Sequence, residues 1–239
     1  MHLSPLNLPY AFGDLLRCFG RMPRCLTGRT FGEKYAAEVD RKYTKFDFAK
    51  EYEAILDDLN FEACGFDRIV DYGCNTGLTC AMLSRRYECT QIFGFDVNRY
   101  ALARAQQRVP WGSFCHISES DRCDTGSADL VLMTHSLAFI EDPVLALRDI
   151  HRMLKPTGVL VIVTPNARFL RAMVLKNLFT GYRSDQNRLI DYTQEGLTEL
   201  LREAGLETLK IRATGELPHL PVFRSDRARS RIVAVASKS

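Results

Sequence analysis

Long apolar runs are missing from this sequence, and so are the cysteine patterns that hold metal ions. No apolar segment approaches the ~18 residues that a membrane-spanning helix needs, so we expect none. The eight cysteines form no CxxC pair and no histidine cluster accompanies them, which argues against a zinc site and leaves no metal expected. Because several cysteines lie in apolar segments, we expect free thiols in a reducing, cytoplasmic protein.

A large excess of charge of either sign is also lacking. The net charge of +3 is too small to indicate a nucleic acid as partner. With 239 residues, 46% of them hydrophobic, the chain suits one α/β domain with attachments. The first 30 residues differ, because four arginines there face one acid, Asp14. A targeting peptide or a membrane-surface helix would have this pattern, and so would a terminal helix that caps the domain, the interpretation that we favour.

What is present is an alternation of short apolar segments with amphipathic ones. The segments that predict buried strands are RIVDYG, TQIFGFD, SFCHIS, ADLVLMTHS and VLVIVT, and helix-like segments such as LTCAMLSRRY, RYALARAQQRV and PVLALRDIHRML lie between them. This order predicts a doubly wound α/β fold, with a parallel sheet covered by helices on both faces.

The alternation stops at Pro165, and about 28 residues pass before the next clear helix. That helix is TQEGLTELLREAG, with Thr193 as its expected N-cap and Gly205 as the residue that ends it. Two final strands, LETLKIRAT and SRIVAVAS, predict a mixed edge of the sheet.

The segment RIVDYGCNTG, residues 68–77, is the first candidate for a binding site. Gly73 and Gly77 lie between a strand and a helix, where backbone can approach a ligand and a helix N-terminus offers free N–H groups. Taken alone, they could form only a tight turn. Asp96 ends the next strand, where a carboxylate can accept both hydroxyls of a ribose or cap the following helix. The third glycine of a pyrophosphate-binding turn is absent, so we expect a nucleoside without pyrophosphate.

Five segments in a fixed order resemble the class I S-adenosylmethionine-dependent methyltransferases, and most closely the small-molecule branch that includes the ubiquinone-biosynthesis enzymes. They are VDYGCNTG, IFGFDVN, ADLVLMTHSLAFIEDP, LRDIHRMLKPTGVLVIVTPN and YTQEGLTELLREAGLE. The resemblance implies a Rossmann-like, mostly parallel seven-stranded sheet with an N-terminal helical cap. It also implies a basic helical cap or lid over residues 1–46, and a catalytic domain over residues 47–239 with a substrate-lid insert at about 165–192.

The same resemblance implies S-adenosylmethionine as cofactor, S-adenosylhomocysteine as product, and a set of cofactor-binding residues. These are Asp71, Gly73, Cys74, Asn75, Gly77, Asp96, Val97, Ser118, Glu119 and Thr134. In the family the first-strand acid and the glycine turn bind the amino-acid end of the cofactor, the acid of the second strand binds the ribose, and the next residue packs on adenine. Ile117, Ser118 or Glu119 stands near the place of the family's Gly-Asp pair, and Asp129 occupies a position that is as often structural as ligating.

The acceptor side depends on residues that follow the fourth and fifth strands and on Tyr43, which precedes the first strand. The implied residues are Tyr43, His135, Phe139, Arg168, Arg171, Tyr182 and Arg183. His135 is a candidate general base, needed only if the acceptor is a weakly acidic hydroxyl, or else a wall residue. Phe139 stands where many relatives have His, so no catalytic role transfers to it. The arginines of the insert could hold a carboxylate or phosphate, or form a solvated surface, which we favour.

Motifs typical of nucleic-acid and arginine methyltransferases are absent after the fourth strand, where this chain has MTHS. We therefore predict methyl transfer to an oxygen or nitrogen atom of a small molecule. A regulatory protein that binds the cofactor without methyl transfer remains an alternative, as does another reaction of the same cofactor, such as cyclisation. The sequence leaves the oligomeric state open.

Overall fold

The computed structural model describes residues 31–45, 48–59, 65–167, 189–214 and 230–239. Within these ranges the α-helices are α1 (Glu33–Lys45), α2 (Phe48–Leu59), α3 (Leu78–Tyr87), α4 (Arg99–Arg108), α5 (Pro143–Met153) and α6 (Gln194–Glu203). The strands are β1 (Arg68–Tyr72), β2 (Gln91–Asp96), β3 (Ser113–His116), β4 (Ala128–Thr134), β5 (Leu154–Pro165), β6 (Leu206–Thr214) and β7 (Arg231–Lys238). Short 3-10 helices follow β3 at Ile117–Arg122 and β4 at Leu137–Phe139.

The strands form a seven-stranded sheet in the order β3-β2-β1-β4-β5-β7-β6. Strands β3, β2, β1, β4 and β5 run parallel, whereas β7 is antiparallel to both of its neighbours, β5 and β6. The prediction of a doubly wound, mostly parallel sheet with a mixed edge is therefore confirmed. It was the near-continuous apolar character of β1, β4 and β5 that indicated parallel strands buried on both faces.

The chain reverses its direction of winding beside β1. From β1 it passes outward to β2 and β3, then returns to place β4 on the other side of β1. Ligands of open α/β sheets bind outside the carboxyl ends of the strands at such a switch point. The loops that follow β1, β2 and β4 consequently meet at one edge of the sheet.

Apolar side chains of consecutive strand residues enter two separate cores. Val70 packs with residues of α5 and α6, such as Leu147 and Leu201, on one face of the sheet. Its neighbour Ile69 packs on the other face with residues of α2 and α3, such as Leu56. Burial of apolar surface contributes about 25 cal/mol per Å² to stability. It also fixes the strand register, because a slip of one residue would move every side chain to the opposite face of the sheet.

Local signals set the ends of these elements. Thr193 caps α6, since its Oγ1 accepts a hydrogen bond from Gly196 N at 3.1 Å, and Gly205 follows the helix with a φ of +78°. Both predictions for this helix are confirmed. The pairing of β4 with β5 is irregular at its start, because Ala128 is opposite Leu154 whereas Leu130 is opposite Val159.

Candidate functional site

Three residues of the turn after β1 have a left-handed backbone conformation. Gly73, Asn75 and Gly77 have φ values of +93°, +46° and +73°. A Cβ on Gly73 would lie 2.3 Å from the Cβ of Ser136, and one on Gly77 would lie 2.9 Å from the Cβ of Ala105. Asparagine tolerates this region better than most residues do, whereas these contacts leave room only for glycine at 73 and 77. The glycines thus allow the loop after β4 and helix α4 to approach the turn.

Asp96 joins the turn after β1 to the loop after β2. Its Oδ2 accepts a hydrogen bond from Asn75 N at 2.9 Å, and its Oδ1 accepts one from Asn98 N at 2.8 Å. The cap of α4 is Asn98, whose Oδ1 accepts from the backbone N–H groups of Tyr100 and Ala101, so Asp96 does not have the alternative capping role. Because each carboxylate oxygen can accept a second bond, both remain able to receive ribose hydroxyls.

Burial raises the pKa of the Asp96 carboxyl, and the backbone N–H groups of Asn98 and Asn75 oppose that shift. Donors directed at the ionised form stabilise it against the loss of hydration. The charge of His116 acts in the same direction, because His116 is opposite Asp96 in the β2–β3 pairing. Asp96 is therefore a nearly buried acceptor that is already oriented by the backbone before any ligand is present.

Asp71 lies at the base of the same turn and is fully buried. Its Oδ2 accepts a weak hydrogen bond from the Cys80 thiol at 3.5 Å, whereas its buried Oδ1 has no hydrogen-bond partner among the described residues. Loss of hydration raises the pKa of this carboxyl from 3.8 to about 7, with a smaller contribution in the same direction from Asp96. An unpartnered buried acceptor costs about 1–3 kcal/mol, and a cationic ligand group would relieve that cost.

The residues predicted for adenine lie in the loops after β2 and β3. Val97 is 47% exposed, which leaves an apolar surface beside Asp96. Ser118 and Glu119 lie in the 3-10 helix Ile117–Arg122, where Glu119 pairs with Arg122 at 3.0 Å. His116 caps this helix, and its Nδ1 lies 2.8 Å from Ser118 Oγ. Sequence reasoning missed His116, although its position at the end of β3 would have indicated it.

The loop after β4 contains the candidate base. Thr134 ends the strand and is buried, and His135 follows it with a left-handed φ of +56°. The backbone N–H of His135 donates to Val163 O at 2.7 Å, which ties this loop to β5. The His135 ring lies 6.2 Å from the ring of Tyr52 in α2, between centroids. Tyr52 is buried in α2, and the local sequence around it does not indicate this contact with the candidate site.

Ser136 connects this loop to the turn after β1, since its Oγ donates to Tyr72 O at 2.8 Å. Phe139 lies in the next 3-10 helix, with its ring centroid 6.4 Å from that of Phe31. Asp129 lies at the opposite edge of the sheet, where it accepts hydrogen bonds from Arg68 N and Lys155 Nζ at 2.9 and 2.6 Å. Of the two roles left open for Asp129, these contacts favour the structural one.

Several predicted acceptor residues lie outside the described part of the chain. These are Arg168, Arg171, Tyr182 and Arg183. Tyr43 lies within α1, but its side chain is not among those described. Their proposed contacts with an acceptor stay predictions.

The described residues contain no group of three or more His, Cys, Asp or Glu placed to hold a metal ion. The cysteines in the same ranges are all free and buried. Among the described helices, none combines the length and the apolar character that crossing a membrane requires.

A family model described as a methyltransferase domain matches residues 31–211, which is more than half of the chain. Among curated proteins, the trans-aconitate 2-methyltransferase of Acidovorax sp. (strain JS42) is 31% identical over 98 residues. Those residues cover 41% of this chain and 38% of the relative. The matched part of the chain thus spans less than half of the relative's own length.

Solved structures show the same fold at low sequence identity. A SAM-dependent methyltransferase from Thermotoga maritima aligns with a TM-score of 0.62 and 21% identity, over 87% of this chain and 97% of the other. Geranyl diphosphate C-methyltransferase from Streptomyces coelicolor A3(2), solved with S-adenosyl-L-homocysteine, aligns with a TM-score of 0.54 and 14% identity, over 72% and 71%. The [4+2]-cyclase SpnF aligns with a TM-score of 0.54 and 21% identity, over 77% and 80%. At such identities the likeness establishes the fold and leaves the reaction open.

Proposed function

Because this chain belongs to the class I S-adenosylmethionine-dependent methyltransferases, we propose that it transfers a methyl group from S-adenosylmethionine to an oxygen or nitrogen atom of a small molecule. The observation that carries this proposal is the bond from Asn75 N to Asp96 Oδ2. It joins the two loops whose residues would hold opposite ends of the cofactor. The family match over residues 31–211 supports the same assignment.

The described residues fit this cofactor in charge and in hydrogen-bonding capacity. Within the described part of the chain, Asp71 Oδ1 is a buried acceptor without a hydrogen-bond partner, and it suits the ammonium group of the methionyl end. Asp96 retains acceptor capacity for the ribose, and Val97 offers an apolar surface for adenine. Ser118, in the 3-10 helix that follows β3, offers a donor or acceptor for the edge of the base.

The sulfonium of the bound cofactor supplies a methyl group that is already activated toward an in-line displacement. The protein contributes mainly alignment of the acceptor and exclusion of water. His135 and Phe139 follow β4 at the carboxyl edge of the sheet, and we assign the acceptor to their neighbourhood. The backbone bond from His135 to Val163 fixes one wall of that region before an acceptor arrives.

We further propose a carboxylate as the methylated group. The curated relatives that match part of this chain are named trans-aconitate 2-methyltransferases, which supports an acceptor with ionised oxygens. A carboxylate is already a nucleophile at neutral pH, so no general base is required. In that case His135 acts as a wall and hydrogen-bonding residue, whereas a hydroxyl acceptor would require it as a base.

Two measurements test the proposal in sequence. Calorimetric titration with S-adenosylmethionine and S-adenosylhomocysteine should show binding well below millimolar, and a failure of both to bind would overturn the cofactor assignment. Formation of S-adenosylhomocysteine is then followed with trans-aconitate, other small carboxylic acids, phenols and amines. Turnover of phenols or amines alone would contradict the carboxylate assignment and leave methyl transfer intact.

The cyclase among the structural neighbours defines the alternative to be tested. A cyclisation would change the acceptor without forming S-adenosylhomocysteine, so the same assay separates the two reactions. We propose that the protein acts on its small-molecule acceptor in the cytoplasm, without nucleic acid as a substrate. Methylation of tRNA or DNA at rates comparable to those of the best small acceptor would contradict this.

A further inference from the structure

The segment that precedes and begins α1 contacts three loops at the carboxyl edge of the sheet. We call Phe31–Asp40 the clasp segment. Its Phe31 ring meets Phe139 after β4, at 6.4 Å between centroids, and its Gly32 O accepts a hydrogen bond from Asn98 Nδ2 after β2 at 3.1 Å. At its far end, Asp40 Oδ1 accepts a hydrogen bond from Thr76 Oγ1 after β1 at 2.6 Å. The clasp segment therefore contacts the loops after β1, β2 and β4, to which we assign the methionyl end, the ribose and the acceptor.

Asp40 is the point at which this segment is attached to the glycine turn. The same Oδ1 that accepts from Thr76 also accepts from Arg108 Nη2 at 3.1 Å. The guanidinium of Arg108 donates in addition to the carbonyl oxygen of Thr76. Three elements thus converge on one carboxylate oxygen and one carbonyl, namely α1, the turn after β1 and the last turn of α4.

The chemistry of this contact makes it both strong and separable. Hydrogen bonds to an ionised carboxylate are roughly twice as strong as those between neutral groups. Thr76 is 2% exposed, whereas the side chains of Asp40 and Arg108 are 23% and 28% exposed. Partial hydration of these charges lowers the cost of breaking the contact, so the segment can detach while the sheet stays folded.

We propose that Asp40 is a positioning residue for the cofactor, which latches the clasp segment onto the glycine turn and sets how long the cofactor stays bound. This inference rests on the proposed function, because it takes the adenosyl cofactor as the ligand under the segment. Asp40 acts through Thr76 and Asn75, which share the turn with Gly73 and Gly77. Release of the latch lets the turn relax and the segment lift, so the cofactor leaves faster.

The experiment measures the dissociation rate of S-adenosylhomocysteine from the full chain by competition, for Asp40→Ala and Asp40→Asn. Asp40→Ala removes both hydrogen bonds, so its dissociation rate should rise about tenfold. Asp40→Asn keeps an acceptor for Thr76 but loses the charge that faces Arg108, so an intermediate rate is expected. Arg108→Gln combined with Asp40→Ala should raise the rate by less than the product of the two single effects, because the two residues share the Asp40–Arg108 pair while Arg108 also loses its bond to Thr76 O.

A matched control exists in the neighbouring helix. Asp57 in α2 pairs with Arg86 in α3 at 2.6 Å, which attaches an N-terminal helix to the domain without touching the glycine turn. Asp57→Ala should lower the unfolding temperature about as much as Asp40→Ala, and leave the dissociation rate within about twofold of the parent. If Asp40→Ala unfolds, Thr76→Val removes the hydroxyl bond alone and replaces it in the test.

The outcomes distinguish a failure of the Asp40 proposal from a failure of the proposed function. Wild-type protein that binds S-adenosylhomocysteine, with an unchanged dissociation rate in Asp40→Ala or Thr76→Val, overturns the latch and leaves the proposed function standing. An equally fast rate in Asp57→Ala also overturns it, because loss of any N-terminal attachment would then suffice. Wild-type protein that fails to bind overturns both proposals together.

Discussion

The cofactor side and the acceptor side of this site are built in different ways. At the ends of β1 and β2, backbone N–H groups orient the carboxylate that we propose for the ribose, since Asp96 lies between Asn75 N and Asn98 N. At the ends of β4 and β5, the residues proposed for the acceptor are side chains of loops, and residues 168–188 of the predicted insert lie outside the described ranges. Side chains held by backbone donors suit an invariant ligand, whereas loop side chains can change with the acceptor.

The largest effect should come from the residue that links the two loops of the cofactor side. We expect Asp96→Ala to lower the kcat/KM for S-adenosylmethionine by about 100-fold or more. Two backbone N–H groups lose their acceptor, and the ribose hydroxyls lose the carboxylate proposed to accept their hydrogen bonds. Asp129→Ala is the control, because its carboxylate lies at the opposite edge of the sheet. Isothermal titration and steady-state kinetics would show the contrast. An Asp96→Ala enzyme with normal affinity would remove the ribose assignment.

The second effect concerns the close approach of the two sides. Gly73→Ala places a Cβ 2.3 Å from the Cβ of Ser136 and forces a residue with a Cβ to adopt φ +93°. We expect a loss of about 2–4 kcal/mol in the free energy of unfolding, measured by urea denaturation. Gly73→Ala combined with Ser136→Gly should recover part of this loss, because the collision is gone and the backbone strain remains. Absence of any recovery would show that strain alone limits this position.

The third effect is a dependence on pH that belongs to the cofactor side alone. Since burial raises the pKa of Asp71 to about 7, the folded chain holds a proton between pH 4 and 7 that the unfolded chain releases. The carboxyl therefore favours folding less and less as pH rises through that window, by up to about 4 kcal/mol before relaxation. Asp71→Asn should stabilise the protein by about 1–3 kcal/mol at pH 8 and little at pH 4.

The same substitution sharpens the assignment of the methionyl end. If Asp71 binds the ammonium group, Asp71→Asn should be more stable at pH 8 and yet bind the cofactor about tenfold more weakly. Unfolding curves at pH 4 and pH 8, beside titrations with S-adenosylhomocysteine, would measure both. A variant that gains stability without losing affinity would show that Asp71 serves the turn and not the ligand.

The smallest effect is expected on the acceptor side. With a carboxylate acceptor, His135→Gln should change kcat by less than about tenfold, because no proton has to be removed. With a hydroxyl acceptor, the loss should reach about 100-fold to 10,000-fold. Tyr52→Phe is the companion variant, since it keeps the ring beside His135 and removes only the hydroxyl. Steady-state kinetics with the best acceptor distinguish the two cases.

Local patterns predicted most of the fold, whereas the roles of the proposed cofactor residues stay predictions. The alternation of apolar strands with amphipathic helices gave the parallel sheet, and Thr193 and Gly205 marked both ends of α6 because capping depends on neighbours within a few residues. The place of β7 between β5 and β6 was not predictable in this way. Strand order depends on contacts between distant segments.

The same limit explains which site residues were missed. Asp40 meets Thr76 across 36 residues of sequence, and Ser136 meets Tyr72 across 64. Neither partner carries a pattern that names the other, since a lone acid on a helix or a lone serine in a loop is common on any surface. Asp96 was predicted from its place at the end of β2. Its hydrogen bond from Asn75 N could not be predicted, because it depends on the folded turn after β1.

The antiparallel strand β7 has a consequence for the order in which the chain can assemble. Strand β6 is synthesised before β7, and among the described strands it pairs with β7, which separates it from β5. On the ribosome β6 therefore cannot take its place in the described sheet until residues 231–238 emerge. A nascent chain halted before that point would carry an open β5 edge, and such an edge is where chaperones and misfolded partners bind.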